Sequence, residues 1–321
     1  MQPVFWILIG VLAIIVLPSV GAVAATWKLS DRLYKDLLVR ETPEKWRREN
    51  SCPSDLEYSA MYAAAERWGE QYADRTTELT VENDGLKLCG RFTDFGSDKT
   101  VCIMCGRAEG CLYSYYYAEP YRLAGYNIFV VDQRAHGNSE GTYSGMGFLE
   151  QSDMLAWTRL LHEKYHSEQI VLHGVCIGAA CAVYLAARDD CPPYIGGIVT
   201  DGLYYSFHKV FLQRFKTMKK PLLPVLPEIE YRIRKNTGIN IRREGPYRYI
   251  GKVRVPVLMI HSKEDISSLP KYVPELYAAC KAPKTLVWME HGAHSHLRIV
   301  NTERYDAAVT AFVQSLDNPK A

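Results

Sequence analysis

The chain has 321 residues, 48% hydrophobic and 23% charged, enough for one large folded unit with a sizeable core plus accessory segments. A formal net charge of +2 without a dense basic cluster argues against a protein that tracks a nucleic-acid backbone, so no nucleic-acid partner is expected. The nine cysteines are an odd number, and several sit in apolar runs such as Val101-Cys102-Ile103-Met104-Cys105, which fits reduced, buried thiols better than a disulfide framework.

Met1 to Trp27 carries no charged side chain, and Val4 to Leu17 is an unbroken apolar and glycine run. A helix of this length, at about 1.5 Å per residue, spans a hydrocarbon layer roughly 30 Å thick. Residues 1–27 are therefore expected to form a transmembrane anchor, touching the bilayer through residues 4–27, with a kink at Pro18. The alternative is a cleaved signal peptide, given Ala22-Val23-Ala24, but no Lys or Arg precedes the apolar run. Lys28, Arg32, Lys35 and Arg40 follow it, which predicts a single-pass membrane protein with its main domain in the cytoplasm. Asp31, Asp36 and Glu41 dilute that signal.

Residues 28–75 read as a helical linker. Leu29, Leu33 and Leu37 make one apolar stripe, Thr42-Pro43 has the pattern of a helix start, and Ser54 with Glu57 has capping-box spacing. From residue 76 the pattern becomes eight strands. Two form a hairpin around Asn83-Asp84-Gly85, and six follow at 100–105, 127–131, 170–174, 195–200, 255–260 and 285–289. Helical stretches at 148–165, 177–188, 270–280 and 302–316 lie between and after them. The alternation predicts an α/β fold over 76–321: a mostly parallel eight-stranded sheet with helices on both faces. A basic, proline- and aromatic-rich interruption at about 204–253 is expected to form a short cap.

Cys102 and Cys105 have a CxxC spacing, but side chains in a strand alternate between faces, and no second pair follows at zinc-site spacing. No metal and no cofactor are expected.

Gly174-Val175-Cys176-Ile177-Gly178 follows a strand and opens an alanine-rich helix. This is the G-x-S-x-G elbow with cysteine in the serine position. A sharp strand-to-helix turn strains the central residue and lifts its side chain clear, and only glycine fits two positions to either side. A thiol there lies at a helix N-terminus, which favours a thiolate, and the Ile177 backbone N–H is placed to stabilise an oxyanion.

With these residues the chain resembles the α/β-hydrolase superfamily over roughly residues 76–316. Within it, the chain is similar to bacterial hydrolases of the serine-aminopeptidase and monoacylglycerol-lipase type. Asp132-Gln133-Arg134-Ala135-His136-Gly137-Asn138-Ser139-Glu140-Gly141 is close to that family's D-x-R-G-H-G-x-S-x-G loop, and Glu150 with Asp153 matches its E-x-x-D. The resemblance implies an architectural role for these residues, His136 included. It also implies a chain order of nucleophile, acid and histidine. Asp265 takes the acid position, with Glu264 as the nearest substitute and Asp201 as a weaker one. His294, in Gly292-Ala293-His294-Ser295, is favoured over His291 and His296. Where the family has H-G-x for its second oxyanion donor, this chain has Cys105-Gly106-Arg107, and the Arg107 backbone N–H takes that role. The Arg107 guanidinium is in addition a candidate contact for a substrate carboxylate.

Cysteine for serine resembles the Cys-His-Asp arrangement of dienelactone hydrolases. It implies acyl transfer from an ester or thioester through an acyl-enzyme, on a small-molecule or lipid-like acyl substrate. An acyltransferase using the same triad and an inactive membrane-bound binding protein are the competing readings. Tyr113, Tyr115, Tyr116, Tyr117 and Tyr121, and the Phe207, Phe211, Phe215 series, are candidates for an acyl pocket, although the phenylalanine spacing also fits the core of the cap.

Overall fold

A computed structural model describes residues 2–317, without the side chains at 2–4, 7–15, 17 and 18. The eight strands are β1 Thr76–Asn83, β2 Leu86–Thr93, β3 Lys99–Met104, β4 Asn127–Val131, β5 Gln169–Val175, β6 Ile195–Asp201, β7 Val257–Ser262 and β8 Lys284–Met289. They form one sheet in the order β1-β2-β4-β3-β5-β6-β7-β8. β2 pairs antiparallel with both β1 and β4, and every other pairing is parallel. The hairpin turns at Asp84-Gly85, both with positive φ, as an Asp-Gly pair allows.

The central strands are near-continuous apolar runs because both of their faces are covered. Asn127–Val131 is buried at every position. On one face, helices Glu150–Tyr165 and Ile177–Ala186 pack with Cys102, Met104 and Phe129. On the other, helices Leu56–Gln71 and Thr302–Asp317 pack with Val101, Ile103 and Cys105. Cys102 and Cys105 thus point to opposite faces, as a period of two requires. Helix Ile177–Ala186 is buried on all sides, which explains its small residues: it lies between the sheet and its neighbouring helix.

The cap comprises helices Phe207–Thr217 and Val225–Thr237. It shares a third core with the end of the N-terminal helix, where Tyr34, Leu37 and Leu38 pack on Phe211, Phe215, Ile229 and Ile233. Each such buried Leu, Ile or Phe contributes about 1.5–3 kcal/mol. Polar contacts fix the register: the Arg232 guanidinium pairs with Asp31 at 2.7 Å, and Asn236 Nδ2 donates to the Tyr34 hydroxyl at 2.8 Å.

Several sequence expectations change here. The N-terminal helix runs without a break from Gln2 to Leu38, across the anchor-to-linker boundary drawn at residue 27. Among the described residues no helix is long and apolar enough to cross a membrane. Most of the Val4–Leu17 run that suggested an anchor lies outside the described side chains. Thr42-Pro43 starts a turn and no helix follows, because tertiary contacts hold this stretch against the Asp132–Gly141 loop. Arg40 donates to the carbonyls of Ser139 and Gly137, and Trp46 stacks on His136 with ring centres 4.9 Å apart. The next helix is capped by Asp55, one residue beyond Ser54, whose carboxylate accepts from the Tyr58 N–H at 3.0 Å.

Candidate active site

The sheet delivers its chemistry-bearing residues to one edge. Cys105, Asp132, Cys176, Gly202, Asp265 and His294 all follow the carboxyl ends of strands, the edge at which parallel sheets place ligands.

The elbow is built as its spacing requires. Cys176 has φ 56° and ψ −109°, a strained region for any residue with a side chain. A methyl added at Gly174 would lie 2.1 Å from the Gly178 backbone, and one at Gly178 would lie 2.2 Å from the Met104 carbonyl oxygen. Both glycines are fixed by backbone contact. The strained turn is tied down by the Cys176 N–H, which donates to the Asp201 carbonyl at 2.9 Å.

His294 and Asp265 meet as the chain order implies. The His294 Nδ1–H donates to Asp265 Oδ2 at 2.7 Å, while Asp265 Oδ1 accepts the Ser267 and Ser268 N–H groups at 2.8 and 2.7 Å. Burial opposes charge on the imidazole, but Asp265 and then Cys176 outweigh it and hold His294 well above the usual histidine range. Burial alone would raise the Asp265 carboxyl, yet His294 and the backbone donors hold it below its ordinary value. Gly202 makes the approach possible, since a methyl there would come within 3.2 Å of the His294 ring and 3.5 Å of Asp265 Oδ2.

The alternatives sort by geometry. Glu264 and His291 pair with each other at 3.0 Å on the exposed side of the loop. His296 borders the same cavity as Cys176 but faces Glu57 at 3.4 Å. Asp201 is fully buried and accepts from the Tyr305 hydroxyl at 2.9 Å. Burial raises its carboxyl to about 7. That donor orders a chain of bonds beneath the site. Tyr305 O–H donates its hydrogen bond to Asp201, so its oxygen accepts from His173 Nε2–H at 3.1 Å. His173 Nδ1 must then accept from Tyr121 O–H at 3.0 Å. His173 is accordingly neutral, pushed down to about 3 by burial and then by the Arg298 charge.

The loop after β3 is clamped at every third position. Gln133 Nε2 donates to the Cys105 carbonyl at 2.6 Å, Ala108 N–H donates to His136 Nε2 at 3.1 Å, and Cys111 N–H donates to Asp132 Oδ1 at 2.7 Å. The Arg107 N–H has no acceptor among the described residues. His136 accepts at Nε2, so its Nδ1–H donates to the Arg134 carbonyl at 2.9 Å; burial lowers it to about 4. It braces this loop, in keeping with the architectural role the motif implies. Arg134 grips Asp153 through two bonds of 2.7 Å, and Glu150 accepts from Gly145 N–H at 2.7 Å.

Sequence reasoning passed over Glu109. Its side chain is buried, borders the cavity holding Cys176 and His294, and accepts from the Gly106 N–H at 2.7 Å. Burial raises it to about 7 against the lowering effects of that N–H, His294 and Arg107. A methyl placed on Gly106 would touch both groups, 3.1 Å from Glu109 Oε2 and 3.6 Å from Cys176 Cβ. The available signal was a glutamate two residues after Arg107, between Gly106 and Gly110, but sequence does not show which way its side chain folds.

The cavity measures about 250 Å³ and lies between the sheet edge and the cap. Phe207, Val210 and Phe211 of the cap, with Leu37 of the N-terminal helix, form its apolar wall. Phe215 packs in the cap core. The five tyrosines are core residues under helix Leu56–Gln71 and do not border this cavity. All nine cysteines are free thiols, and among the described residues no cluster of His, Cys, Asp or Glu could hold a metal.

Sheet order, elbow and post-strand loops together define the α/β-hydrolase fold. Residues 99–222 match the family model described as alpha/beta hydrolase fold. An esterase of Pyrococcus furiosus superposes with a TM-score of 0.64 at 23% identity, over 77% of this chain and 93% of its own. An acylaminoacyl peptidase of Pyrococcus horikoshii superposes with a TM-score of 0.55 at 16% identity, over 74% of this chain and 41% of its own. In sequence, the uncharacterised protein YqkD of Bacillus subtilis is 28% identical over 221 residues, 68% of this chain and 72% of that protein. An uncharacterised membrane protein of Saccharomyces cerevisiae is 31% identical over 145 residues, 44% of this chain and 49% of its own length.

Proposed function

We propose that the chain is a hydrolase that cleaves an ester or thioester through Cys176, His294 and Asp265. The observation that carries this reading is the 2.7 Å bond from His294 Nδ1–H to Asp265. It fixes the tautomer, leaving Nε2 for the thiol, whose sulfur sits on a strained elbow beside the same imidazole. His294 takes the thiol proton, and the thiolate adds to the acyl carbon. The Arg107 and Ile177 N–H groups stabilise the oxyanion; Ile177, as the first helical residue, has no intrahelical acceptor for its own. Collapse expels the alcohol or thiol leaving group, which takes the proton from His294. His294 then deprotonates water, which attacks the thioester and restores the free thiol. An ester or thioester is preferred to an amide because a thiolate is itself a good leaving group and returns an amide adduct to substrate.

We further read Val4–Trp27 as a bilayer anchor with the folded domain on the cytoplasmic side. The large apolar side chains described there, Phe5, Trp6, Val16, Val20, Val23 and Trp27, are all exposed, which supports a partner for this segment. Carbonate extraction of membranes tests the anchor: release of the full-length chain into the supernatant counts against it.

Acyl probes on the full-length protein test the chemistry. Mass spectrometry is expected to find an acyl adduct on Cys176, absent in Cys176→Ala and strongly reduced in His294→Ala. Wild-type turnover by Cys176→Ala would refute the reading.

A further inference from the structure

The cavity beside Cys176 carries two positive charges from separate elements. Arg107 comes from the loop after β3 and Arg214 from the cap helix Phe207–Thr217. Neither guanidinium has a hydrogen bond or ion pair among the described residues. They are close enough to repel: removal from water, and then the charge of Arg107, lower Arg214 from its ordinary value. Two like charges lining one cavity repel each other, and an anionic group between them would relieve that repulsion. The buried guanidiniums of Arg48, Arg134 and Arg298, by contrast, are paired with Asp132, Asp153 and Asp306, whereas Arg107 is half-buried and Arg214 is exposed at the cavity rim.

We propose that Arg107 and Arg214 form a subsite for an anionic group, a carboxylate or phosphate, on the ester or thioester that Cys176 attacks. The placement limits where that group lies. The Arg107 N–H is the oxyanion donor of the proposed reaction, so its side chain leaves the loop within one residue of the scissile carbonyl. Arg214 lies one helical turn beyond Phe211 and Val210, on the same cap helix that forms the apolar wall. The substrate is thus amphipathic, with an apolar portion against Phe207, Val210 and Phe211 and an anionic group at the guanidiniums.

Glu109 and Asp36 feel the charges of Arg107 and Arg214 respectively, but no carboxylate among the described residues bonds either guanidinium. Glu109 is turned to the Gly106 N–H, Asp55 caps the Tyr58 N–H, and Asp36, the carboxylate facing Arg214, lies near Arg32 at 3.7 Å. A planar guanidinium pair matches carboxylate or phosphate oxygens, and its attraction for a free anion is weakened by salt.

This inference rests on the hydrolase reading for the identity of the reacting bond, so its test has an arm that needs no turnover. In the full-length Cys176→Ala protein, fluorescence titration compares 7-hydroxycoumarin-3-carboxylate with neutral 4-methylumbelliferone. The carboxylate is expected to bind at least tenfold more tightly, an advantage reduced fivefold or more by Arg214→Gln, by Arg107→Gln and by 0.5 M KCl (figures on the order expected for a charge-assisted pair). Arg214→Glu, a partly exposed cap position whose fold is checked by circular dichroism, is expected to abolish the advantage. In the wild type, butyryl esters of the same two coumarins place the anion on the leaving group, and an adipate monoester of 4-methylumbelliferone places it on the acyl side. The ester with higher kcat/KM than its neutral counterpart assigns the side. Binding without turnover would remove the hydrolase reading and leave the anion subsite standing. Equal binding of the two coumarins, or an advantage untouched by the arginine substitutions, would overturn the subsite whatever the turnover.

Discussion

Glu109 accepts a hydrogen bond from the Gly106 N–H at 2.7 Å, closing the turn whose next N–H, that of Arg107, has no acceptor among the described residues. One buried carboxyl thus shapes the loop that faces the Cys176 thiol, and it does so from a position where ionisation is disfavoured.

That cost has a pH signature. Burial raises Glu109 to about 7 from an ordinary 4.5, so the folded state favours the protonated form. The penalty is absent below the unfolded value, grows as pH rises through this window, and is constant above about 7. At about 1.4 kcal/mol per pH unit the upper limit lies between about 3 and 4 kcal/mol. Glu109→Gln keeps an acceptor for Gly106 and cannot ionise. Urea unfolding is expected to show the variant more stable than wild type at pH 8, with the gap closing toward pH 4.5. A constant gap would mean that the Glu109 carboxyl ionises as freely in the folded chain as in the unfolded one.

Asp265→Asn removes the charge that outweighs burial at His294. An NMR titration of the imidazole is expected to show wild-type His294 holding its proton above the ordinary 6.5 range, and the variant losing it at lower pH. Activity attributable to Cys176 should fall by roughly two to four powers of ten, as for loss of the orienting acid in other triads.

Tyr305→Phe interrupts the buried chain Tyr121–His173–Tyr305–Asp201. It leaves Asp201 without its hydroxyl donor while Oδ1 already lacks a partner among the described residues. A loss of about 1–3 kcal/mol is expected from the urea midpoint at unchanged m-value. Because the Tyr305 hydroxyl lowers the Asp201 carboxyl, that group should also become harder to ionise.

Gly178→Ala would place a methyl 2.2 Å from the Met104 carbonyl oxygen, part of β3 in the middle of the sheet. Neither backbone has room to yield, so a loss of more than about 3 kcal/mol or a failure to fold is expected. Gly96→Ala, at φ 76° with nothing nearby, should cost only about 1 kcal/mol, and thermal melts of the two variants check both values.

Local chemistry made much of this molecule legible in its residues. The strand β4 falls at Asn127–Val131 as expected, and β3, β5 and β8 differ by a residue or so at their ends, because apolar runs bounded by turn residues identify themselves. The elbow is visible because two glycines and a central reactive residue record a backbone collision that only glycine avoids. Asp265 and His294 were singled out through the family resemblance and its local motifs, and the structure places them within a hydrogen bond of each other.

What the sequence could not determine depends on contacts between distant segments. Thr42-Pro43 has a helix-start pattern, yet Arg40 and Trp46 find partners nearly a hundred residues away, and those contacts outweigh a local preference of a fraction of a kcal/mol. The tyrosine run looked like a pocket lining and became core, because only packing decides which face of a short helix is covered. Glu109 and Arg214 belong to the same cavity although 105 positions separate them in the chain. Periodicity and glycine placement act over a few residues and are written in order along the chain. Burial, and with it the charge state of a carboxyl or the exposure of a guanidinium, exists only once the sheet, the loop after β3 and the cap have closed around the same space.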